Sequence, residues 1–210
     1  MSFEIKGLYA ITDTANLSSE LMLTRTEEIL RAGAKLLQYR NKQANENTRI
    51  AEAEQILDLC RKYSVPLIIN DDIALALQTG ADGVHLGKTD SSIADAREHL
   101  GDKAIIGCSC YNDLDRAQQA AKSGADYIAF GAFFSSPTKP EAAHAIPDII
   151  QTAKLKFKLP VVAIGGITPE NGQSLIESGA DMLAVISGLY ASNDPFNTTK
   201  QYIKMFNTEL

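Results

Sequence analysis

Short apolar runs alternate with longer amphipathic segments over the whole of the 210-residue chain. Continuous apolar runs are typical of parallel strands buried on both faces. The segments between them have helical periodicity, as in Thr48–Lys62 and Asp113–Lys122. Thr168-Pro169-Glu170 is predicted to begin another helix, because Pro suits the first helical position and an acid suits the first turn. The predicted strands are Gly7–Ile11, Lys35–Gln38, Leu67–Ile69, Gly83–His85, Ala104–Cys108, Tyr127–Gly131, Val161–Ile164 and Met182–Ile186.

A Gly-Ala pair recurs between a predicted helix and the strand that follows it. Glycine accepts the left-handed conformation that ends a helix, so each copy indicates a joint between helix and strand. The copies are Gly33-Ala34-Lys35, Gly80-Ala81-Asp82, Gly124-Ala125-Asp126 and Gly179-Ala180-Asp181.

The repeated unit predicts an α/β protein with a single (β/α)₈ TIM barrel over residues 1–210. A doubly wound open sheet is the alternative architecture. That fold is expected to have a Gly-rich fingerprint after its first strand, and the segment Tyr9–Asp13 has none.

Charge and composition exclude several classes of partner. The net charge of −6 argues against nucleic acid as a ligand. The apolar stretch Tyr127–Phe134 is far shorter than the ~20 residues of a membrane helix, and the first six residues lack the pattern of a signal peptide. Three cysteines without a CxxC pair indicate reduced thiols and a cytoplasmic location. A homo-oligomer is compatible with the sequence, which does not determine the oligomeric state.

The end of the second predicted strand carries an amide and two cations in alternate positions. Side chains alternate along a strand, so Gln38, Arg40 and Lys42 are expected on one side and Leu37 and Tyr39 on the other. Active sites of these barrels lie at the carboxyl ends of the strands. The row therefore favours binding of a diphosphate there, whereas the alternative is a solvated strand end with surface charges.

Carboxylates follow the third and fourth predicted strands. Asp71 and Asp72 come directly after strand three, and Asp90 lies in the loop after strand four. Hard oxygen ligands from neighbouring strand ends suit Mg²⁺, so Asp71 and Asp90 are the candidate metal ligands. Asp72 is predicted to be a helix N-cap instead.

The loops after strands six, seven and eight have anion-binding capacity. The segment of residues 134–140, FSSPTKP, offers hydroxyls and an ammonium group, although a proline-rich surface turn explains it as well. Gly165-Gly166 and Ser187-Gly188 follow the last two strands, where barrels often bind phosphate through backbone N–H groups.

The histidines do not suggest a catalytic base. His85 is interpreted as a core histidine, His99 as a surface residue of a helix, and His144 carries little information.

Six sequence blocks together resemble the thiamine phosphate synthase (thiamine-phosphate pyrophosphorylase) family. The most specific part is the QYRNK block with the Asn-Asp pair that follows it, whereas the Gly-Gly and Gly-Ala-Asp pieces occur in many phosphate-binding barrels. The blocks are Gly7–Asp13, Gln38–Lys42, Asn70-Asp71, Val84–Gly87, Ser135–Pro140 and Ala163–Ile167.

The resemblance implies a transferase of thiamine biosynthesis that acts on small molecules and uses Mg²⁺. In that family, 4-amino-5-hydroxymethyl-2-methylpyrimidine diphosphate loses pyrophosphate to leave a carbocation. The nitrogen of hydroxyethylthiazole phosphate, carboxylated or not, then attacks that carbon to give thiamine phosphate.

Carried over by motif position, the site residues divide into three groups. Asp71 and Asp90 would hold Mg²⁺, and Arg40, Lys42, Ser109 and Lys139 would be catalytic. The pyrimidine diphosphate would contact Gln38, Arg40, Lys42, Asn70, Ser109 and Lys139. The thiazole phosphate would contact Ser136, Thr138, Gly166, Ile186 and Ser187, and Tyr39, Asn41 and Pro137 complete the expected substrate-binding set.

Three positions depart from the family pattern: Ser136 supplies one hydroxyl of a loop that is usually rich in Thr, and the other two bear on the alternatives. Lys88 stands where Gln is common, and Tyr111 stands where a His is common two residues after Ser109. The related thiazole tautomerase uses that His for proton transfer, so its absence here disfavours that activity. A sugar-phosphate epimerase would need acid–base groups that the sequence does not offer. A non-catalytic barrel that binds a phosphate ligand remains an alternative of another class, although it would have no reason to keep the cations and carboxylates together.

Overall fold

The computed structural model describes residues 5–135 and 145–207, and within them parallel strands and helices alternate. The strands are β1 Gly7–Ile11, β2 Leu36–Tyr39, β3 Leu67–Asn70, β4 Gly83–Leu86, β5 Ile105–Tyr111, β6 Tyr127–Gly131, β7 Val161–Ile164 and β8 Met182–Val185. The helices are α1 Ser19–Ala32, α2 Glu46–Tyr63, α3 Ile73–Thr79, α4 Ile93–Leu100, α5 Leu114–Lys122, α6 Asp148–Phe157, α7 Gln173–Glu177, α8 Ser187–Tyr190 and α9 Pro195–Phe206.

The strands close into a barrel in sequence order, with β8 paired to β1. This confirms the predicted (β/α)₈ TIM barrel. Every ladder is parallel, so all the strand carboxyl ends open on one mouth of the barrel.

Alternation along the strands produces two apolar layers. One set of side chains fills the barrel interior, and it includes Tyr9, Leu36, Ile68, Tyr127 and Met182. The other set packs outward against the helices. Both faces of the sheet are buried, which explains why the strands are continuous apolar runs rather than alternating ones.

The Gly-Ala-Asp joints combine a helix stop with a clamp between neighbouring strands. The glycines have positive φ, as at Gly80 (72°) and Gly124 (88°), which L-residues adopt at a cost. The aspartate that follows accepts a hydrogen bond from the backbone N–H group at the start of the preceding strand. The pairs are Asp82 with Leu67 (2.7 Å), Asp126 with Ile106 (2.7 Å) and Asp181 with Val161 (2.7 Å).

The helix predicted to begin at Thr168 begins later, at Gln173. Residues 169–172 form turns. The Asn171 side chain accepts a hydrogen bond from the Thr168 backbone N–H group at 2.8 Å, and the Gly172 backbone N–H group donates to the Thr168 carbonyl at 3.0 Å. The predicted cap therefore begins a single turn, and the regular helix starts after it.

The described helices and cysteines bear on the expected environment. None of the helices within the described ranges is long and apolar enough to cross a membrane. Cys60, Cys108 and Cys110 are all buried and free of disulfides.

Candidate active site

The end of β2 delivers Gln38 into the barrel and Lys42 to its mouth. Gln38 is buried, and its Nε2 atom donates to the Tyr9 hydroxyl at 2.6 Å, on the side that strand alternation predicted. Lys42 Nζ lies 2.9 Å from Asp71 Oδ2. Arg40 is half-buried, and its backbone N–H and carbonyl groups are both bonded to the Thr12 hydroxyl. The loop is therefore anchored through its backbone.

Tyr39 and Asn41, which the resemblance places in contact with the substrate, also serve this loop. The Tyr39 hydroxyl and the Asn41 amide donate to Glu52 Oε2, at 2.6 Å and 2.8 Å. Asn41 Oδ1 accepts the backbone N–H groups of Gln43 and Ala44 at 3.1 Å each. Both polar ends are thus hydrogen-bonded within the protein and shape the loop. Both residues also line the cavity described below, and their contact with the substrate stays a prediction.

Glu52, on the buried side of α2, was missed by the sequence reasoning. Its carboxylate is 5% exposed and accepts three hydrogen bonds, the third from Ser19 at 2.5 Å. Burial and the neighbouring Glu52 carboxylate raise the pKa of Tyr39. A glutamate within the apolar stripe of a predicted helix was the available signal, because such an acid is expected to be paired.

The two predicted metal ligands lie together. Asp71, at the end of β3, adopts the left-handed conformation with φ of 63°, and its carboxyl group is hydrogen-bonded to that of Asp90. The Gly87 backbone N–H group donates to Asp90 Oδ2 at 2.5 Å. The carboxyl ends of β3 and β4 therefore place two hard-oxygen groups side by side.

The electrostatics of this pair favour a cation. Burial and the hydrogen bond to Asp71 raise the pKa of Asp90. Burial also works to raise the pKa of Asp71, but hydrogen bonds from Lys42 and Asp90 outweigh it, and the net direction is downward. Two carboxylates this close repel each other, and a bound cation relieves the repulsion. The donor set fits Mg²⁺, which uses one or two carboxylates and completes its shell with waters and substrate phosphate.

A metal held entirely by protein groups is not supported. The described residues contain no cluster of three or more histidines, cysteines or acids that could hold an ion. The Asp71–Asp90 pair thus suits an ion bound jointly with a phosphorylated ligand.

Asp72 is the N-cap of α3, as predicted. Its Oδ1 atom accepts the Leu75 backbone N–H group at 2.9 Å, and its Oδ2 atom lies 2.8 Å from Arg49. Asn70, the last residue of β3, is half-buried and hydrogen-bonded to Asp71.

Ser109, on β5, lies beside His85 on β4. His85 Nε2 is 2.8 Å from Ser109 Oγ, and His85 Nδ1 is 3.0 Å from the Tyr127 hydroxyl. The His85 ring is 8% exposed, and burial lowers its pKa to about 4, against an opposing influence of the Asp71 charge. His85 is therefore a core histidine with both nitrogens bonded, as expected, but it touches an expected site residue.

Arg116, from α5, ties the ends of β4 and β5 together and was also missed. Its Nε atom donates to the Ser109 carbonyl at 2.6 Å, and a guanidinium nitrogen donates to the Gly87 carbonyl at 2.7 Å. Arg116 thus fixes the backbone of both Ser109 and the turn that holds Asp90. Hydrogen bonding from Cys110, opposed by burial and assisted by the Arg116 charge, lowers the pKa of Cys108 to about 7.

Lys88 and Tyr111, two of the positions that depart from the family pattern, contact each other. The Lys88 backbone N–H group lies 3.4 Å from the Tyr111 hydroxyl. Tyr111 is 44% exposed and has a φ of 56°. Both departures therefore lie at the exposed rim of the mouth, beside the turn that bonds Asp90.

The β7 and β8 loops provide a backbone-lined wall. Gly166 has a φ of 63°, and a Cβ there would lie 2.4 Å from the Ser135 carbonyl oxygen. Ile186 and Ser187 lie where β8 passes into α8 and are partly exposed. Ser136, Pro137, Thr138 and Lys139 lie outside the described residues, as does His144.

A cavity of about 960 Å³ lies over the ends of β2 and β3, and its wall is completed by residues of α2, α3 and α4 rather than by Asp90, Ser109 or the β7 and β8 loops. Its lining includes Lys42, Asn70 and Asp71 from the predicted site. It also reaches Arg49 on α2 and His99 on α4, which is exposed, as predicted. The cavity has room for a ligand beside the cation and the carboxylate.

Comparison with known proteins decides the family. A family model described as "Thiamine monophosphate synthase" matches residues 8–189. The chain belongs to the thiamine monophosphate synthase family. The thiamine-phosphate synthase of Nitrosococcus oceani is 52% identical over 194 residues, covering 92% of this chain and 89% of that protein. The thiamine-phosphate synthase of Azoarcus sp. is 48% identical over 206 residues, covering 98% of this chain and all of its own length.

A solved structure agrees with this family assignment. The thiamine phosphate pyrophosphorylase from Pyrococcus furiosus superposes with a TM-score of 0.85 at 32% identity, covering 96% of this chain and 95% of that one. The resemblance inferred from the QYRNK block and the loops of the barrel mouth is thereby confirmed for the family of thiamine monophosphate synthases.

Proposed function

We propose that this chain is a transferase of thiamine biosynthesis. It joins 4-amino-5-hydroxymethyl-2-methylpyrimidine diphosphate to hydroxyethylthiazole phosphate, releasing pyrophosphate and thiamine phosphate. The observation that carries the proposal is the cluster of Lys42, Asp71 and Asp90 at the mouth, with the lysine 2.9 Å from Asp71 and the two carboxyl groups in contact. A diphosphate bound with a divalent cation needs both kinds of charge in one place.

The substrates would occupy different parts of the mouth. The pyrimidine diphosphate lies against β2 to β6, where Gln38, Arg40, Lys42, Asn70 and Ser109 are available, together with Lys139. The thiazole phosphate lies against the β7 and β8 loops, whose glycines allow close approach of backbone N–H groups. That division gives each anion its own set of donors.

The reaction proceeds by ionisation. The bond between the pyrimidine methylene carbon and the diphosphate oxygen breaks, and its electron pair leaves with pyrophosphate. The thiazole nitrogen then supplies the pair for the new carbon–nitrogen bond. No proton has to be removed, so the chain contributes groups that stabilise negative charge on the leaving group.

Specific side chains supply that stabilisation. Arg40, Lys42 and Lys139 bind the departing phosphate oxygens, and the Ser109 hydroxyl donates a further hydrogen bond. Asp71 and Asp90 would hold Mg²⁺, which contributes positive charge against the diphosphate. Both ring nitrogens of His85 have hydrogen-bond partners and burial lowers its pKa to about 4, so it is a weak base, in agreement with chemistry that uses none.

The direct test is an assay of the purified protein with both substrates and Mg²⁺, in which thiamine phosphate and pyrophosphate are measured together. We expect equal amounts of the two products. Isomerisation of the thiazole phosphate alone, with no pyrophosphate, would support a tautomerase instead. Binding of phosphate ligands without turnover would support a non-catalytic barrel. We also infer a cytoplasmic location, supported by the three unpaired cysteines.

A further inference from the structure

Five polar side chains form a continuous hydrogen-bonded chain across the barrel interior, from β2 to β5. Gln38 Nε2 donates to the Tyr9 hydroxyl at 2.6 Å, and the Tyr9 and Tyr127 hydroxyls are 2.8 Å apart. Tyr127 reaches His85 Nδ1 at 3.0 Å, and His85 Nε2 reaches Ser109 Oγ at 2.8 Å. The first four members are buried, and Ser109 is partly exposed. The chain therefore opens to the mouth at Ser109.

The donor at one end favours one direction for the whole chain. An amide nitrogen only donates, so Tyr9 accepts from Gln38 and keeps its own proton, for which the Tyr127 hydroxyl lies within reach. In the direction that we infer, Tyr127 accepts from Tyr9 and donates to His85 Nδ1. A nitrogen that accepts carries no proton, so the proton of the imidazole is on Nε2 and is donated to Ser109 Oγ.

Aromatic packing holds the chain in this arrangement. The His85 and Tyr127 rings are stacked, with centroids 5.6 Å apart and an interplanar angle of 22°. The Tyr9 ring meets Tyr127 edge to face at 5.9 Å and 86°. The buried rings cannot turn freely, so the packing fixes the positions of the hydrogen-bonding atoms.

We propose that His85 is a positioning residue that acts through Ser109. Because His85 Nε2–H occupies one lone pair of Ser109 Oγ, the Ser109 proton is left to donate outward, toward the anion that develops at the mouth. Gln38, Tyr9 and Tyr127 fix the imidazole in the tautomer that this needs. The proposal deepens the proposed function and rests on it for the identity of the anion.

A double-mutant cycle in kcat separates this role from a structural one. We expect Ser109→Ala to lower kcat by about 10²-fold and His85→Asn by about 10-fold. If His85 acts only through Ser109, the double variant is no slower than Ser109→Ala alone, within about twofold. If the fold-loss of kcat in the double variant equalled the product of the two single losses, the proposal would be overturned. His85→Gln, which can place an N–H group near the position of Nε2, should recover part of the kcat lost in His85→Asn.

A second pair of variants keeps the test decisive if the His85 variants fold poorly. Tyr127→Phe removes the donor to His85 Nδ1 and is expected to lower kcat with little change in KM. Tyr190→Phe is the matched control, because it also deletes one buried hydroxyl, bonded to Thr26 at 2.8 Å in the outer layer. Equal kcat values for the two variants would contradict the proposal.

Nitrogen NMR of the wild-type protein tests the direction of the hydrogen-bonded chain without turnover. The His85 signals are assigned by comparison with a His85 variant. We expect the His85 proton on Nε2, and a proton on Nδ1 would overturn the chain direction. If the wild-type protein made no thiamine phosphate, the proposed function would fail while this spectrum still reported on the chain. If turnover were normal and the proton were on Nδ1, only the present inference would fail.

Discussion

Lys42 Nζ and Asp71 Oδ2 form an ion pair of 2.9 Å across the mouth of the barrel, between the β2 loop and the end of β3. The lysine side chain is 57% exposed and the aspartate 25%, so the pair by itself adds little to stability. Under the proposed function each member has a second partner. Lys42 can transfer to a bound phosphate while Asp71 and Asp90 turn to a metal ion.

Removing either carboxylate is expected to change the metal requirement without unfolding the protein. Asp71→Asn or Asp90→Asn should raise the Mg²⁺ concentration at half-maximal activity by about tenfold or more, because a charged oxygen ligand is lost. The measurement is kcat against Mg²⁺ concentration, with circular dichroism to verify folding.

Asp58→Asn is the matched control, because Asp58 is an exposed carboxylate of α2 away from the site. The kcat of this variant should depend on the Mg²⁺ concentration in the same way as that of the wild type. Full activity of the wild-type protein in excess chelator would exclude a metal requirement.

Loss of the leaving-group cations is expected to reduce kcat sharply. Arg40→Ala and Lys139→Ala should each lower kcat by about 10²-fold or more, since both would stabilise charge that develops in the transition state. Lys103→Ala, at an exposed position before β5, should leave kcat unchanged. A fall in affinity with unchanged kcat for the two site variants would mean that they only bind substrate.

The role of the β7 loop can be tested by comparing Gly166→Ala with Gly124→Ala, because the backbone strain is similar in the two variants. Gly166→Ala and Gly124→Ala both place an L-residue at positive φ, which costs about 1–2 kcal/mol. Only at Gly166 does the new Cβ collide with backbone, 2.4 Å from the Ser135 carbonyl oxygen, whereas nothing lies within 4 Å at Gly124.

We therefore expect both alanine variants to lose stability but only Gly166→Ala to raise KM for the thiazole phosphate. Steady-state kinetics with each substrate varied in turn provides the measurement. If Gly166→Ala raised KM only for the pyrimidine diphosphate, the assignment of the loops to the two substrates would be wrong.

Burial of His85 makes stability depend on pH in a defined window. Its pKa falls from 6.5 to about 4 on folding, so between these values the unfolded chain binds a proton that the folded chain does not. The free energy of unfolding should therefore fall as the pH falls from 6.5 to 4, by about 3 kcal/mol from this group.

Chemical denaturation of wild type and His85→Asn across that window tests this linkage. In the variant, the free energy of unfolding should lack the part of the pH dependence that comes from His85. Above pH 7 the curves of the two proteins should be parallel, because the imidazole is neutral in both the folded and the unfolded state. Parallel curves through the window would show that His85 does not titrate as described.

The ionisation step can be tested with altered substrates rather than variants. An electron-withdrawing substituent on the pyrimidine destabilises a carbocation, so it should slow turnover strongly even where binding is unchanged. A direct displacement would respond only weakly. A flat rate across the substituent series would reject ionisation and leave the synthase reaction itself standing.

Local patterns along the chain were sufficient for the barrel and for several individual residues. The period of the apolar runs predicted the strands, and the Gly-Ala joints predicted where helices end. Alternation on β2 placed Gln38 inside, and a polar residue before an apolar helix identified Asp72 as a cap. All of these depend on neighbours in sequence, which is why the chain alone determines them.

Contacts between distant strands and helices needed the tertiary structure. Glu52 and its hydrogen bonds with Tyr39 and Asn41 were missed, because sequence does not show which hydroxyl or amide will donate to a buried carboxylate. Arg116 and its two carbonyl acceptors were missed for the same reason.

The sequence by itself determined the type of fold, the family, and the cations and carboxylates expected at the mouth. Only the tertiary structure decided that Asp71 touches Asp90, and that His85 connects Ser109 to the two tyrosines and Gln38. These contacts depend on barrel closure and strand register, which bring together residues separated by as many as 118 positions in the sequence. Periodicity determines the side of a strand on which a side chain lies, whereas closure of the barrel determines which other side chain it contacts there.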